Sequence, residues 1–223
     1  MKITAREALD RLREGNRRFA SERASAPVDS SPTRRAELVA GQEPFAIILG
    51  CSDSRVPAEI VFDQGLGDLF VIRVAGNIVA PSQVGSVEFA AERFGTRLVV
   101  VLGHSQCGVI LATLEELRER NDNNHSRNFR SIVNHVRPSV EGLVAKGSGL
   151  KGDALVREAV RANVRVSANH LRHASEVLER LIETDGLMVV GAEYSLATGL
   201  VDIFDGVRAT RARKRKTSRA RGR

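Results

Sequence analysis

The sequence predicts an α/β fold: a central, mostly parallel β-sheet flanked by helices, with an antiparallel edge strand and an N-terminal helical arm. Three observations carry this. Four short runs, at 45–51, 68–76, 97–104 and 187–195, are apolar on both faces, as strands buried inside a parallel sheet are. Helical patterns separate these runs. A fifth short run, "LVDIF" at 200–204, comes after a turn around "LATG" and is expected to pair antiparallel with 187–194.

Taken in order, residues 4–20 read as a helix. Thr4 and Glu7 have capping-box spacing, and Ala8, Leu9, Leu12 and Phe19 fall near one face. "SERASAPVDSSPT" (21–33) is a Ser/Pro-rich connection expected to be extended, and 34–41 suggests a short helix. "FAIILGC" (45–51) is the first strand, followed by a helical pattern at 58–63. "DLFVIRVAG" (68–76) is the second strand, with "SVEFAAERF" (86–94) helical after it. "RLVVVLGH" (97–104) is the third, leading into a helix at 109–120. "NDNNHSRN" (121–128) and "KGSGLKGD" (146–153) are polar loops, and about 153–184 is a long helical stretch before the fourth strand. No internal repeat is visible. The expected division is an arm and connection at 1–44, one α/β domain at 45–207 and a basic tail at 208–223.

At 223 residues the chain can build one well-cored domain and is short for two. Its 42% apolar content excludes wholesale disorder. No apolar run approaches the roughly 20 residues that span a bilayer. The first twenty residues carry acids and no continuous apolar core, so no secretory signal is read there and a cytoplasmic location is expected. In a reducing compartment, two cysteines are better read as free, catalytic or metal-bound than as a structural disulfide. The net charge of +7 suggests nucleic acid, but nine Lys/Arg lie in "RATRARKRKTSRARGR" at the C-terminus. Without it, 25 basic side chains face 27 acidic ones. The body is near neutral, which argues against nucleic-acid binding by the folded part. The tail is expected to stay unstructured and solvated, or to meet acidic polymers by general electrostatics.

In a parallel sheet, ligands collect beyond the carboxyl ends of the strands. Cys51 closes the first run, and His104 and Cys107 lie where "GHSQCG" turns from the third strand into a helix. Two thiolates and an imidazole make a donor set that favours zinc over harder cations. Three protein donors leave a position open for water or substrate, which is the catalytic pattern. H-x-x-C alone is a weak signal, and either cysteine taken singly could be a small buried apolar residue. Asp53 and Arg55 follow Cys51 at alternate positions, so both can face the same mouth. Arg55 is expected to keep Asp53 ionised. Asp53 could then orient a zinc-bound hydroxide, or swing onto the zinc as a fourth ligand if Arg55 releases it.

With these residues assembled, the sequence closely resembles the β-class carbonic anhydrases. "CSDSRVPAE" (51–59) and "GHSQCG" (103–108) match the family's two zinc motifs; "GDLFVIRVAGN" (67–77) matches the segment between them and "RLREGNRRF" (11–19) its N-terminal helix. The resemblance covers roughly residues 5–205. It implies a zinc lyase, carbonate dehydratase, that hydrates CO2 reversibly to bicarbonate and a proton with zinc hydroxide as nucleophile. Carried across, Cys51, His104 and Cys107 are the zinc ligands, Asp53 and Arg55 the catalytic dyad, and Asp53 the alternative fourth ligand. Gly108 would offer its backbone N–H to substrate oxygen. Gln42, Phe70 and Ala75 match residues that border the small substrate pocket, the glutamine coming from a second subunit. The family resemblance further implies a homodimer or homotetramer.

Some members are held shut by bicarbonate at a site built from Trp, Arg and Tyr. Arg73 and Tyr194 fit that pattern, but the Trp position is Ile48, which speaks against the switch; Arg73 and Tyr194 can instead be structural. A relative acting on carbonyl sulfide or carbon disulfide would use the same zinc and dyad. A zinc-stabilised nucleic-acid module would need a fourth permanent ligand and a basic folded face. His125, His135, His170 and His173 have no stated relation to the site, and none is assigned as a proton shuttle.

Overall fold

The strands of the computed structural model are β1 (Ala46–Gly50), β2 (Leu69–Arg73), β3 (Leu98–His104), β4 (Met188–Tyr194) and β5 (Val201–Asp205). They form one sheet in the order β2-β1-β3-β4-β5. The first four are mutually parallel, and β5 runs antiparallel to β4 with a bulge at Gly191/Ala192. The residues described are 3–21, 31–119, 126–145, 149–173 and 175–207. The basic tail, most of the 21–33 connection and most of the polar loop at 121–128 lie outside them.

Every residue of β1 and β3 is buried, which accounts for their unbroken apolar runs. Alternate side chains serve two faces. On one face Ala46, Ile48, Leu98, Val100 and Leu102 pack against Ala8, Leu9 and Leu12 of α1 (Ala5–Ala20), and against Ala58, Val61 and Phe62 around α3 (Ala58–Val61). On the other, Ile47, Leu49, Val99 and Val101 meet α4 (Pro81–Arg93), α7 (Gly152–Arg172) and α8 (Glu176–Thr184). Each fully buried aliphatic side chain contributes about 1.5–3 kcal/mol. A third apolar cluster lies beyond the carboxyl ends of the strands. There Cys51, Ile78 and Cys107 adjoin Ile110 and Leu114 of α5 (Gly108–Glu119), Val136 and Val140 of α6 (Arg127–Val144), and Leu155 and Val160 of α7.

The arm helix starts as its sequence dictates. Glu7 N–H donates to Thr4 Oγ1 at 3.2 Å, and Thr4 N–H donates to Glu7 Oε2 at 2.7 Å, completing the capping box. Farther along, buried Asn16 ties three segments together. Its Nδ2 donates to Val61 O (3.1 Å) and Gly199 O (2.8 Å), and its Oδ1 accepts from Val201 N–H (2.8 Å).

Several elements differ from the sequence expectation. The short helix expected at 34–41 is α2, Pro32–Leu38, beginning earlier because Ser31 caps it and Pro32 occupies its first turn. Likewise α4 begins at Pro81 rather than 86. The stretch at 153–184 divides into α7 and α8 where Ser175 Oγ accepts from Leu178 N–H at 3.2 Å and starts a new helix. Helix α6 has no counterpart among the expected elements. Pro138 sits inside it, yet Val133, Val136 and Val140 all fall on its buried face, and that burial outweighs the lost backbone bond.

Helix α7 lies unusually close to the sheet. A Cβ on Gly103 would stand 2.5 Å from Val164 Cγ2, and one on Gly191 would stand 2.8 Å from Val164 Cγ1. Two glycines in adjacent strands thus form a slot for one valine, and any larger residue would push the helix away.

Replacing Asn16 by Ala should leave two carbonyls, that of Val61 buried, and one N–H without their side-chain partner, lowering unfolding stability by about 2–3 kcal/mol. Urea denaturation of the two proteins measures it; a loss below about 0.5 kcal/mol would mean the three bonds do not hold the arm.

Candidate metal centre

From β1 the chain crosses to β2 on one side and later returns to β3 on the other. The connections therefore diverge at the carboxyl ends of β1 and β3, the switch point where α/β sheets leave a crevice. Cys51 follows the last residue of β1, and His104 is the last residue of β3. After a tight turn in which Gln106 adopts φ 55°, Cys107 stands at the start of α5, its carbonyl accepting from Leu111 N–H at 3.0 Å. The two sulfurs and the imidazole are buried, and their donor atoms all lie within 4.8 Å of one another.

His104 is oriented for ligation. Its Nδ1 lies 3.0 Å from Ser105 O. A carbonyl only accepts, so Nδ1 carries the proton and Nε2 keeps a free lone pair. That Nε2 is buried without a hydrogen-bond partner among the described residues. Hydrogen bonding from Cys107 draws the Cys51 thiol down to about 4 against the cost of its burial. The same bond, with burial, pushes the Cys107 thiol up. The pair thus shares one proton, and a divalent cation would displace it. Two sulfurs and an imidazole lone pair, all buried and converging on one point, suit zinc.

The segment after Cys51 forms a tight turn. Asp53 Oδ1 accepts from the Arg55 backbone N–H at 3.0 Å and from Arg55 Nε at 2.9 Å, while Oδ2 accepts from Arg55 Nη2 at 2.7 Å. This two-pronged grip, chiefly through the guanidinium, holds the Asp53 carboxyl well below the usual carboxylate range. Asp53 Oδ2 stands 3.8 Å from His104 Nε2. Asp53 is thus beside the three-donor set but engaged by Arg55.

Arg73 acts as a brace on this loop, donating from Nε to Cys51 O (3.1 Å) and from Nη2 to Asp53 O (2.7 Å). Ile48 is fully buried in the core. Tyr194 is buried with its ring tilted against Phe19, centroids 6.4 Å apart, and burial pushes its hydroxyl pKa up. One contact escaped the sequence reading: Gly76 N–H donates to Cys51 Sγ at 3.4 Å. A Gly-Asn pair right after a strand was its only sequence signal.

The other expected site residues are placed unequally. Ala75 packs on the cluster containing both cysteines, and Gly108 is the first residue of α5. Phe70 pairs with Ile47, about 13 Å of strand before Cys51, and its ring meets Phe89 and Phe94 of the α4 region. Gln42 is exposed and borders a surface cavity of about 450 Å³ with Val39 and Leu66. Within one chain, neither Phe70 nor Gln42 joins the three donors.

Comparison with known proteins agrees with this geometry. The carbonic anhydrase family profile matches residues 46–201. Carbonic anhydrase 2 of Mycobacterium tuberculosis is 39% identical over 197 residues, covering 88% of this chain and 91% of that protein. The carbonic anhydrase of Mycolicibacterium smegmatis is 39% identical over 194 residues, covering 86% and 89%. The crystal structure of the β-carbonic anhydrase CafA of Aspergillus fumigatus superposes with a TM-score of 0.70 at 25% identity, covering 91% of each chain. The chain belongs to the β-carbonic anhydrase family. Zinc is the cofactor of this carbonic anhydrase, and the Cys51, His104 and Cys107 cluster fits its zinc site.

Freshly purified protein should hold one zinc ion per chain, and Cys107→Ser should lose it. Elemental analysis of both proteins checks this; a zinc-free parent, or a Cys107→Ser protein with full zinc, would contradict the assignment.

Proposed function

We propose that this carbonic anhydrase hydrates CO2 to bicarbonate and a proton at the Cys51–His104–Cys107 centre, with Asp53 and Arg55 as the catalytic pair. The observation that carries this reading is the Arg55 clamp, which leaves Asp53 Oδ2 facing the donor set at 3.8 Å from His104 Nε2. Zinc, when bound, supplies a Lewis acid that brings the ionisation of a water at its open position close to neutral pH. Asp53, held ionised, can only accept hydrogen bonds. It therefore fixes a water's O–H and leaves an oxygen lone pair free to point at the carbon of CO2. Because its proton affinity is depressed, Asp53 does not retain the proton that the hydration releases, which passes to solvent. Arg55, half exposed, holds the carboxylate by two parallel bonds rather than one. In this state the clamp competes with Asp53 serving as a fourth ligand.

Gly108 supports substrate contact. The first N–H groups of a helix have no carbonyl partner within it, so α5 presents donors and a positive dipole end beside Cys107. Ala75 supplies an apolar wall suited to CO2. Gln42 and Phe70 complete the pocket in our reading only if a second copy of the chain brings them near. Val39 at 87% exposure and Phe89 at 54% are apolar groups that such a copy would cover. A homodimer, or a homotetramer built from it, follows. The catalytic domain is 45–207, preceded by an arm at 1–44 that serves assembly, with the basic tail at 208–223 outside the chemistry. No helix among the described residues is long and apolar enough to cross a membrane, and a cytoplasmic location is proposed.

Asp53→Ala should retain zinc and lose CO2 hydration by about 100-fold or more, read by stopped-flow with metal analysis in parallel. Normal hydration by that variant would refute the role given to the pair. Deleting residues 208–223 should leave turnover unchanged in the same assay, and a large fall would place the tail in catalysis or assembly.

A further inference from the structure

Two polar side chains interrupt the apolar face of α7. Asn163 and Ser167 are one helical turn apart, at 2% and 5% exposure, on a helix whose other inward residues include Val160, Val164, Ala168 and Leu171. Burying an amide and a hydroxyl in that position is costly unless both are bonded. Both are, and to adjacent carbonyls of one short segment. Asn163 Nδ2 donates to Gly76 O at 2.8 Å, and Ser167 Oγ donates to Asn77 O at 3.1 Å.

That segment, Ala75–Asn77, is a single 3-10 turn in which Gly76 (φ 72°) and Asn77 (φ 43°) are both left-handed. Glycine takes this conformation freely, and Asn77, as a non-glycine, holds it at a modest cost that its surroundings offset. The turn is also closely packed: a Cβ on Gly76 would lie 3.0 Å from Val109 Cγ1. Its consequence at the centre is direct. The left-handed bend aims Gly76 N–H at Cys51 Sγ, 3.4 Å away. Gly76 thus accepts from α7 on its carbonyl and donates through its N–H, in the preceding peptide group, to a sulfur on the other side.

We propose that Asn163 and Ser167 are positioning residues for the metal centre, acting through the 75–77 turn on the Cys51 sulfur. The proposal rests on Cys51 being a zinc ligand. A hydrogen bond to a ligating sulfur withdraws charge from it and fixes the direction of its lone pairs, and such outer partners tune both affinity and electronic properties of the metal. Helix α7 is suited to this task because Val164, next to Asn163, is keyed into the slot formed by Gly103 and Gly191. The helix is therefore registered against β3, which carries His104, and through Asn163 against the turn that addresses Cys51. A single element sets both ligands relative to each other.

The test compares zinc release from the intact zinc-loaded enzyme to a chromogenic chelator, and the sulfur-to-metal charge-transfer absorption of the cobalt-substituted protein. Asn163→Ala should release zinc about 10-fold faster or more and shift the charge-transfer bands. Ser167→Ala, which removes one oxygen and carries the test if Asn163→Ala does not fold, should move both readouts in the same direction by a smaller factor. Leu171→Ala, buried on the same helix away from the turn, should lower the melting temperature and leave both readouts at the parental values. Parental release rates and unshifted bands in Asn163→Ala and Ser167→Ala would overturn the proposal, as would equal changes in Leu171→Ala. A parent protein that holds no zinc would overturn the metal centre itself, which is a separate result.

Discussion

The structure turns on one unmet demand, the lone pair of His104 Nε2, buried with no donor among the described residues to satisfy it and close to two sulfurs. An unsatisfied buried polar atom costs on the order of 1–3 kcal/mol. A cation answers that demand and displaces the shared thiol proton at the same time. The arrangement needs all three groups at one point, although they come from strand ends far apart in the chain. Parallel pairing supplies this: Gly50 of β1 stands beside Leu102 of β3, so the residues that follow each strand emerge together. The fold's core is in this sense a device for holding two strand ends in register.

Charge around the centre is arranged so that two thiolates do not dominate it. The positive end of α5 lies at Cys107, and Gly76 N–H addresses Cys51. Arg55 and Arg73 both bear on the 51–53 loop but divide the work. Arg73 bonds the backbone carbonyls of Cys51 and Asp53 and fixes the path of the chain. Arg55 bonds the Asp53 side chain and fixes its ionisation and direction. Losing either would disturb the same loop by different routes.

Much of this was legible in the residues. The five strands, the Thr4/Glu7 cap and the placing of Cys51, His104 and Cys107 at one sheet edge all follow from local pattern, because a strand buried on both faces is apolar throughout and a capping box is a contact between near neighbours. Helix α6 was not legible. Pro138 breaks its pattern, and only the burial of Val133, Val136 and Val140 explains why the helix continues. The break between α7 and α8 was hidden for the opposite reason, since both halves carry good helical periodicity and a serine cap is a small signal within it. Asn163 and Ser167 carry no local signal of their role, because the carbonyls they bond belong to a turn on a different segment.

By itself the sequence determined which groups can bind a soft divalent cation and which strand ends present them, since those depend on side-chain chemistry and on periodicities a few residues long. Only the tertiary structure decided that Asp53 Oδ2 stands beside His104 Nε2, that Phe70 lies well down the sheet from Cys51, and that α7 reaches the 75–77 turn. Those are relations between segments distant in the chain, and they are set by strand register and by how closely glycines let a helix approach.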